Sequence, residues 1–208
     1  MKILIVDDHE LVRNGLARIV ADEFSSSTID EASSGTEGEK LAINNKYNIM
    51  IMDMSMPDKT GLDVLKQLRS ESIKTPILIL SIHPENQYAL RVLKAGANGY
   101  ITKDCPRQEF INAVRVILSG KKYISGGVAE KLAMRFDDDM TKEQHELISD
   151  RELQVLKLLA SGKTVSEIAE ELSLSVATIS TYRSRLLEKM QMKNNAELTL
   201  YAINNGLV

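Results

Sequence analysis

The stretch YNIMIMDMSMPDKTG, residues 47–61, decides the fold class of this chain. Its unbroken apolar run, residues 49–52, is typical of a strand that is buried on both faces, as the strands of parallel sheets are. Asp53 stands at the end of this run, and Pro57 and Gly61 follow as loop and turn signals. The pattern therefore predicts a buried strand that brings one carboxylate to the edge of a sheet.

Apolar runs and helical spacings alternate on both sides of this strand. The strand candidates are Ile3–Val6, Thr28–Ala32, Ile49–Met52, Ile77–Leu80 and Ala97–Thr102. Helical spacing marks Leu11–Val20, Thr36–Ile43, Leu62–Leu68, Tyr88–Leu93 and Phe110–Leu118. Five strand–helix pairs predict an α/β domain over residues 1–119, with a five-stranded, parallel, doubly wound sheet. We expect the strand order 2-1-3-4-5, because this order puts the three most apolar strands inside the sheet.

The sequence pattern changes after Gly120. Residues 120–146 include the polar, acidic sequence RFDDDMTKEQHE, which we interpret as part of a linker. Residues 147–208 show four short helix patterns and no strand pattern. The N-cap candidates of these helices are Ser149, Thr164, Ser175 and Asn194, and the first two begin capping boxes. This half predicts a small all-α domain of four helices with a helix-turn-helix arrangement.

The composition excludes several classes of protein. The chain has a formal net charge of −3, so any surface that binds a polyanion must be local. A single cysteine, Cys105, rules out a disulfide framework and a cysteine-rich metal site. No apolar run is long enough for a membrane span, and the start, MKILIVDD, is too short and too acidic for a signal peptide. We therefore expect a cytoplasmic protein.

Chemically active side chains stand at the predicted carboxyl ends of the strands, where doubly wound sheets form their sites. They are Asp7, Asp8, Asp53, Ser81 and Lys103. A lone Asp at a strand end is usually a turn or cap residue, so the signal lies in the convergence of all five. Three close carboxylates repel one another, and a Mg²⁺ ion relieves that repulsion while keeping water positions for a phosphate. Asp53 is then a candidate nucleophile that forms an aspartyl phosphate, with Lys103 and Ser81 on the phosphoryl oxygens.

The segments ILIVDDHELVR, DMSMPDKTG, ILILS and GYITK resemble the receiver domain of bacterial two-component response regulators. The resemblance covers residues 2 to about 119. It implies that Asp53 is the phosphoacceptor and that Asp8 and Asp53 are direct Mg²⁺ ligands. It also implies that Asp7 acts through water and that the main-chain carbonyl of Ser55 completes the protein ligands.

The same resemblance implies a switch. Ser81 and Tyr100 would be the switch pair, and Lys103 would contact the phosphate. Movement of Ser81 would make room for Tyr100 to turn inward after phosphorylation. Ile82 departs from the family pattern, in which the residue after the Ser81 position is often small, and would restrict access to the acyl phosphate.

The third helix pattern of the second domain, residues 175–190, has two unlike faces. Its inward residues would be Val176, Ile179, Leu186 and Leu187, packed with Ile168, Ala169 and Leu172 of the preceding helix. Its other face carries Ser180, Thr181, Arg183, Ser184, Arg185 and Lys189. Small hydroxyl and basic groups can approach a phosphate backbone and place short donors near base edges. A solvated amphipathic helix would show the same pattern, so the face alone does not decide the function.

The second domain as a whole resembles the LuxR-type output domain of NarL/FixJ regulators. The resemblance spans about residues 147–208 and rests on the start DRE, the run EIAEELSLS and the Thr178-Ile179 pair. It implies that the third helix enters the DNA major groove, with base contacts from the positions of Ser180, Thr181 and Ser184. It also implies a dimer contact through the last helix, at Leu198, Tyr201 and Ala202.

Together the two halves predict a phosphorylation-controlled DNA-binding transcription regulator, not an enzyme. Its expected partners are a sensor histidine kinase or phosphotransfer domain, Mg²⁺, double-stranded DNA and, when it is phosphorylated, a second copy of the chain. One alternative is an aspartyl-phosphate phosphohydrolase, although such enzymes carry Asp-x-Asp on the first strand and this chain has adjacent Asp7 and Asp8. The other alternative is a receiver that signals through protein contacts only, with the helical half as a docking module.

Overall fold

The computed structural model describes residues 1–83, 85–127, 129 and 148–208. The chain divides into two units, Met1–Asp138 and Asp139–Val208, and each unit is described by itself. Most of the predicted linker, residues 120–146, lies outside the described residues. No helix in the described parts of the chain is long and apolar enough to cross a membrane.

The first unit is built on a five-stranded parallel sheet. Its strands are β1 Lys2–Val6, β2 Thr28–Ala32, β3 Ile49–Asp53, β4 Ile77–Ser81 and β5 Gly99–Thr102. They lie in the order β2-β1-β3-β4-β5, and every neighbouring pair is parallel. The predicted fold class and strand order are confirmed. Only the fifth strand was predicted too long, because the first two residues of the predicted strand belong to the turn before β5.

The helices of the first unit follow the strands in alternation. They are α1 Glu10–Glu23, α2 Gly35–Asn44, α3 Gly61–Ser70, α4 Glu85–Lys94 and α5 Arg107–Leu118. Each begins before its predicted start, since first turns are largely polar and the apolar spacing marks only the residues that face the core. The central strands β1, β3 and β4 are almost wholly buried, whereas edge strand β2 keeps partly exposed residues.

A close backbone approach shapes the loop behind Asp53. The amide of Gly61 donates a hydrogen bond to the carbonyl of Met54 at 2.9 Å. A Cβ atom at Gly61 would lie 2.3 Å from the Asp53 carbonyl oxygen, so no other residue fits there without displacing the backbone. The turn signal in the sequence thus has a steric cause, and the loop is folded tightly around the end of β3.

The second unit consists of four helices among its described residues. They are α6 Asp150–Ala160, α7 Val165–Glu171, α8 Val176–Lys189 and α9 Asn195–Asn204. The four predicted N-caps are confirmed, since each side chain accepts a hydrogen bond from the third residue of its helix. The core includes Leu153, Leu156, Ile168, Ile179, Leu186, Leu198 and Ala202. The inward placement of Val176 is wrong, because this first residue of α8 is 50% exposed.

Candidate functional site

The carboxyl ends of β1 and β3 hold two buried acids. Val6 pairs with Met52 in the sheet, so the residues that follow them, Asp7 and Asp53, come side by side at its edge. The two acids are 0% and 2% exposed, respectively. Asp8, the next residue in the loop, keeps a partly exposed side chain. Burying two like charges is costly, so the site must contain opposite charge.

Lys103, which follows β5, supplies part of that charge. Its Nζ lies 2.8 Å from Oδ2 of Asp7 and 3.1 Å from Oδ2 of Asp53. Its own amide donates to the Ser81 carbonyl at 2.7 Å, which fixes the start of the side chain beside β4. Burial lowers the pKa of Lys103, but Asp7 and Asp53 outweigh burial and leave this pKa above its usual value. The lysine is therefore a fixed cation between two acids.

One cation does not compensate the acids completely. Burial raises the pKa of Asp53 to about 6, and Asp7 adds to this shift while Lys103 opposes it. Beyond the ion pairs with Lys103, Oδ2 of Asp7 and Oδ2 of Asp53 accept no hydrogen bond from the described residues, and neither does Oδ1 of Asp8. Buried carboxylate oxygens that share a single lysine as their cationic partner suit a hard divalent cation such as Mg²⁺.

The candidate ligand atoms also converge in space. Those of Asp7, Asp8, His9 and Asp53 all lie within 4.8 Å of one another. Nδ1 of His9 is 3.2 Å from Oδ1 of Asp8 and 3.4 Å from Oδ1 of Asp7. The sequence reasoning missed His9, although it directly follows the two acids. The amide of Ser55 hydrogen-bonds to the Asp53 carboxylate, so the backbone of the Ser55 loop also lies at the site.

The proposed switch residues meet at His83. Ser81 is fully buried, and its Oγ accepts a hydrogen bond from the His83 amide at 3.0 Å. Tyr100 is 2% exposed, and its hydroxyl donates to the His83 carbonyl at 2.9 Å. The ring of Tyr100 therefore already lies inward, without phosphorylation. Ile82 is 73% exposed, so a large apolar side chain projects into solvent beside the buried Ser81.

In the second unit, the predicted DNA-facing residues divide into two groups. Ser180, Thr181, Ser184 and Arg185 are exposed on α8. The hydroxyls of Thr181 and Ser184 donate to the carbonyls of Ala177 and Ser180, four residues earlier, at 2.9 and 3.0 Å. With Ala177, Thr178 and Tyr182, Thr181 and Arg185 line a shallow surface cavity of about 340 Å³. These side chains are available to a ligand.

The other two predicted basic residues are bound within the unit. Nε of Arg183 donates to Oδ1 of Asn195, the first residue of α9, at 2.7 Å. Nζ of Lys189 donates to Oε2 of Glu152 in α6 at 2.8 Å. Sequence reasoning identified Glu152 only as part of a capping box, and it is 2% exposed. The structure thus gives Glu152 a second partner that no local pattern announces.

The predicted dimer residues are mostly core residues. Leu198 and Ala202 are fully buried in the second unit, where α9 packs against α6, and Tyr201 is half-buried. The exposed apolar side chains of α9 are Leu200 and Ile203, at 60% and 56%. The predicted contact at Leu198 and Ala202 is therefore corrected, because side chains that fill the core of their own unit cannot reach a partner.

Comparison with known proteins defines the class. Residues 3–115 match the response regulator receiver domain, and residues 146–202 match the bacterial regulatory proteins of the luxR family. The chain belongs to the two-component response regulators of the NarL/FixJ type. It is a phosphorylation-controlled, DNA-binding transcription regulator, and it is not an enzyme.

Full-length relatives agree with this assignment. The chain is 36% identical over its whole length to the response regulator UvrY of Escherichia coli K12, covering 95% of that protein. It is 34% identical, again over its whole length, to the response regulator GacA of Pseudomonas syringae, covering 98% of it. A solved structure of the RcsB response regulator of Salmonella typhimurium superposes with a TM-score of 0.57 at 25% identity, covering 97% of both chains.

Proposed function

We propose that Asp53 is the phosphoacceptor of this regulator and that a sensor histidine kinase or phosphotransfer domain is the donor. The observation that carries this proposal is the position of Lys103 between two buried, incompletely compensated carboxylates. An Asp53 oxygen attacks the phosphorus of a phosphohistidine, the P–N bond breaks, and the imidazole leaves with the electron pair and takes up a proton. Asp53 is buried at a strand end, so its oxygens hold one orientation toward the donor.

The residues around Asp53 have complementary roles in this proposal. Asp8, Asp53 and the main-chain carbonyl of Ser55 would hold Mg²⁺ directly, and Asp7 would hold it through water. When bound, the ion neutralises charge that builds up on the phosphoryl oxygens during transfer. Lys103 binds a phosphoryl oxygen after transfer, because its positive charge already lies 3.1 Å from Asp53.

Ser81 and Tyr100 would report the transfer. A phosphate on Asp53 offers strong acceptor oxygens, and Ser81 can turn its hydroxyl toward one of them. That movement would break the hydrogen bond that Ser81 now accepts from the His83 amide. Since Tyr100 is bound to the carbonyl of the same residue, the change reaches the surface around β5 through His83.

Phosphorylation of a single carboxylate is directly measurable. Incubation with acetyl phosphate and Mg²⁺ should add one phosphoryl group by intact-protein mass, and Asp53→Asn should abolish the gain because an amide is not a nucleophile. Asp58→Asn is a matched control on the same loop, with an exposed carboxyl, and should be labelled normally. Continued labelling of Asp53→Asn would rule out this site. Steady turnover of small phosphate esters by the wild type would favour the phosphohydrolase alternative.

The DNA interface would be the exposed face of α8. Ser180, Thr181 and Ser184 would face base edges in the major groove, and Arg185 would meet a backbone phosphate. Their exposure supports this placement, as does the absence of any hydrogen bond or ion pair between Arg185 and the described residues. Failure of the protein to bind any genomic DNA would instead favour signalling through protein contacts.

Phosphorylation would drive a homodimer whose output contact includes Leu200, Tyr201 and Ile203 on α9. In the same proposal the receiver domain spans residues 1–119, the linker 120–146 and the DNA-binding domain 147–208, and the protein works in the cytoplasm. Ile203→Ser should weaken binding to paired half-sites but leave binding to a single half-site unchanged, because only the pair needs a dimer. Ile43→Ser, which changes an exposed isoleucine of α2, is the matched control. Equal weakening on both kinds of DNA would exclude a dimer contact at Ile203.

A further inference from the structure

Glu152 is a buried charge with a defined orientation. Its Oε2 atom accepts the Ser149 amide at 2.6 Å, which closes the capping box of α6. The same oxygen accepts Nζ of Lys189 at 2.8 Å, across 37 positions of sequence. Burial alone would raise the pKa of Glu152, but the bonds from Lys189 and Ser149 hold this pKa below its usual value. The carboxylate therefore ties the first turn of α6 to the last residue of α8.

Lys189 is placed where position alone would make it a DNA ligand. It follows Arg185 by four residues, so the two cations are neighbours on one flank of α8. Their environments differ, however. Lys189 is bound to Glu152, while Arg185 makes no hydrogen bond or ion pair with any described residue. The Lys189 side chain is 43% exposed, but Glu152 is 2% exposed, so moving the Lys189 ammonium group to a phosphate would leave a buried carboxylate without its positive partner, which is unfavourable.

A second side-chain bond, from a cation to a neutral amide oxygen, also joins α8 to a neighbouring helix. Nε of Arg183 donates to Oδ1 of Asn195 at the start of α9. Arg183 and Lys189 thus connect α8 to the first turns of two different helices, α9 and α6. These two polar contacts of α8 occur in addition to the packing of its buried apolar residues Ile179 and Leu186.

We propose that Lys189 is a positioning residue for DNA recognition: it holds α8 against the buried carboxylate of Glu152, and Arg185 provides the phosphate contact on this flank. The proposal rests on the proposed placement of α8 in the major groove. It assigns Glu152, an acid that cannot itself attract DNA, a favourable role in binding. It also removes Lys189 from the set of residues that neutralise phosphates.

The decisive measurement is the salt dependence of DNA binding by the full-length, phosphorylated protein. The probe is a fluorescent DNA duplex that the wild type has selected from a random-sequence pool. A residue that neutralises a phosphate contributes about 0.9 to the slope of log K against log salt concentration, whereas a positioning residue contributes nothing to it. The variants are Lys189→Met, Glu152→Gln, their combination, Lys189→Arg, and Arg185→Met as the matched control on the same flank.

We expect Lys189→Met to weaken binding roughly tenfold, or ~1.4 kcal/mol, with the wild-type salt slope. Glu152→Gln should weaken binding by a smaller factor, because its amide oxygen still accepts from Lys189 but carries no charge, whereas simple electrostatics would predict tighter binding. The double variant should lose no more than Lys189→Met alone, because both changes act on the same contact. Lys189→Arg should bind nearly as the wild type does, since a guanidinium can still pair with Glu152. Arg185→Met should flatten the slope by about one phosphate.

Two outcomes would overturn the proposal: a flattened slope for Lys189→Met, or tighter binding by Glu152→Gln. Another result would contradict the proposed placement of α8 in the major groove. In that result, Arg185→Met has the affinity and salt slope of the wild type, and Lys189→Met also binds DNA as the wild type does. DNA binding of each variant is measured at a temperature well below the midpoint of its own thermal unfolding, so that the variant is folded. If Lys189→Met does not fold, Lys189→Gln, which still donates one hydrogen bond to Glu152 but carries no charge, replaces it with the same expected slope.

Discussion

Asp53 in the first unit and Glu152 in the second are equally buried, at 2% exposure, yet their pKa values are shifted in opposite directions. Burial raises the pKa of Asp53 to about 6, because Lys103 is shared with Asp7 and only partly compensates two acids. For Glu152, burial is outweighed by Lys189 and Ser149, and its pKa is lowered. The comparison teaches that burial alone does not reveal what a charged residue does. Here the incompletely compensated acid, Asp53, lies in the proposed ligand site, and the compensated acid, Glu152, lies in a contact between two helices.

The largest effect that tests this contrast is expected at the structural contact. Lys189→Met should lower the free energy of unfolding of the second unit by about 2 kcal/mol, because it leaves the Glu152 charge buried without its partner. This loss is smaller than for a fully buried pair, since the Lys189 side chain itself is 43% exposed. Urea-dependent hydrogen exchange, followed by mass spectrometry on peptides from α8, measures this quantity in the full-length chain. Lys163→Met, which changes an exposed lysine paired only with an exposed glutamate, should have little effect. Equal stability of the two variants would mean that the buried charge of Glu152 does not need Lys189 as its partner.

The opposite sign is expected at the proposed phosphorylation site. In metal-free protein at pH 7, Asp53→Asn should raise the free energy of unfolding of the first unit by about 2 kcal/mol, because it removes a buried charge whose pKa is raised. The readout is the same exchange experiment on peptides from β3. Saturating Mg²⁺ should stabilise the wild type and should stabilise Asp53→Asn much less. A loss of stability in metal-free Asp53→Asn would show that Lys103 compensates both acids completely.

The pH dependence sharpens the comparison further. Since the pKa of Asp53 in the folded protein is about 6 and its ordinary value is 3.8, the folded state takes up its proton first as the pH falls. Metal-free protein should therefore gain about 1 kcal/mol of stability in its first unit between pH 7 and pH 5. The pKa of Glu152 is lowered in the folded protein, so the stabilisation that the ionised Glu152 provides is complete at pH values above its ordinary pKa of 4.5. This stabilisation is lost only at lower pH. Unfolding of the metal-free wild type and of Asp53→Asn, followed at both pH values, gives the test, and an equal pH response of the two would contradict it.

Sequence patterns predicted the elements of both units because those elements depend on local chemistry. The buried strands are runs of apolar residues. The helices of the second unit begin after N-cap residues, whose side chains accept a hydrogen bond from the amide of the third residue of the helix. The convergence of the acids and the lysine of the proposed phosphorylation site was also predictable, since the carboxyl ends of parallel strands lie at one edge of the sheet. The contact of Glu152 with Lys189 was not, because it joins residues 37 positions apart through tertiary packing.

The dimer residues show a second limit of sequence reasoning. The helix α9, with the sequence NAELTLYAIN, has apolar side chains on more than one face, so its sequence does not say which face enters the core. Only the packing against α6 buries Leu198 and Ala202 and leaves Leu200 and Ile203 in solvent. Val176 was misplaced for a related reason. Apolar spacing assigns a residue to a face of a helix but does not say where the packed layer ends along its axis.

A third carboxylate extends the comparison to an exposed position. Asp58 accepts the amides of Gly35 and Thr36 at 3.0 and 2.8 Å, at the first turn of α2. Burial opposes the shift, but these bonds lower the pKa of Asp58 to about 2. Asp58→Ala should destabilise the first unit by about 1 kcal/mol above pH 4, the usual value of a helix cap, with Asp58→Asn as a control that keeps an acceptor. The difference in stability between Asp58→Ala and the wild type should vanish as the pH falls through about 2. Thermal unfolding midpoints of the two proteins measure this difference, and equal midpoints at pH 7 would contradict the prediction.

The smallest expected effect is at the hydroxyls that we propose to face DNA, because they already donate to carbonyls of their own helix. Because Ser184 already donates to the Ser180 carbonyl at 3.0 Å, a contact with a base must replace that bond, and the net gain is small. Ser184→Ala should therefore change the preference among DNA sites by roughly 1 kcal/mol or less, without changing the salt slope. Ser161→Ala is a matched control, since the Ser161 hydroxyl donates to the Lys157 carbonyl in the same way at 2.9 Å but lies at the end of α6. Competition between duplexes that differ at one base pair measures the preference. If Ser161→Ala altered it as much as Ser184→Ala did, the effect would come from helix stability, and Ser184 would have no part in reading the base.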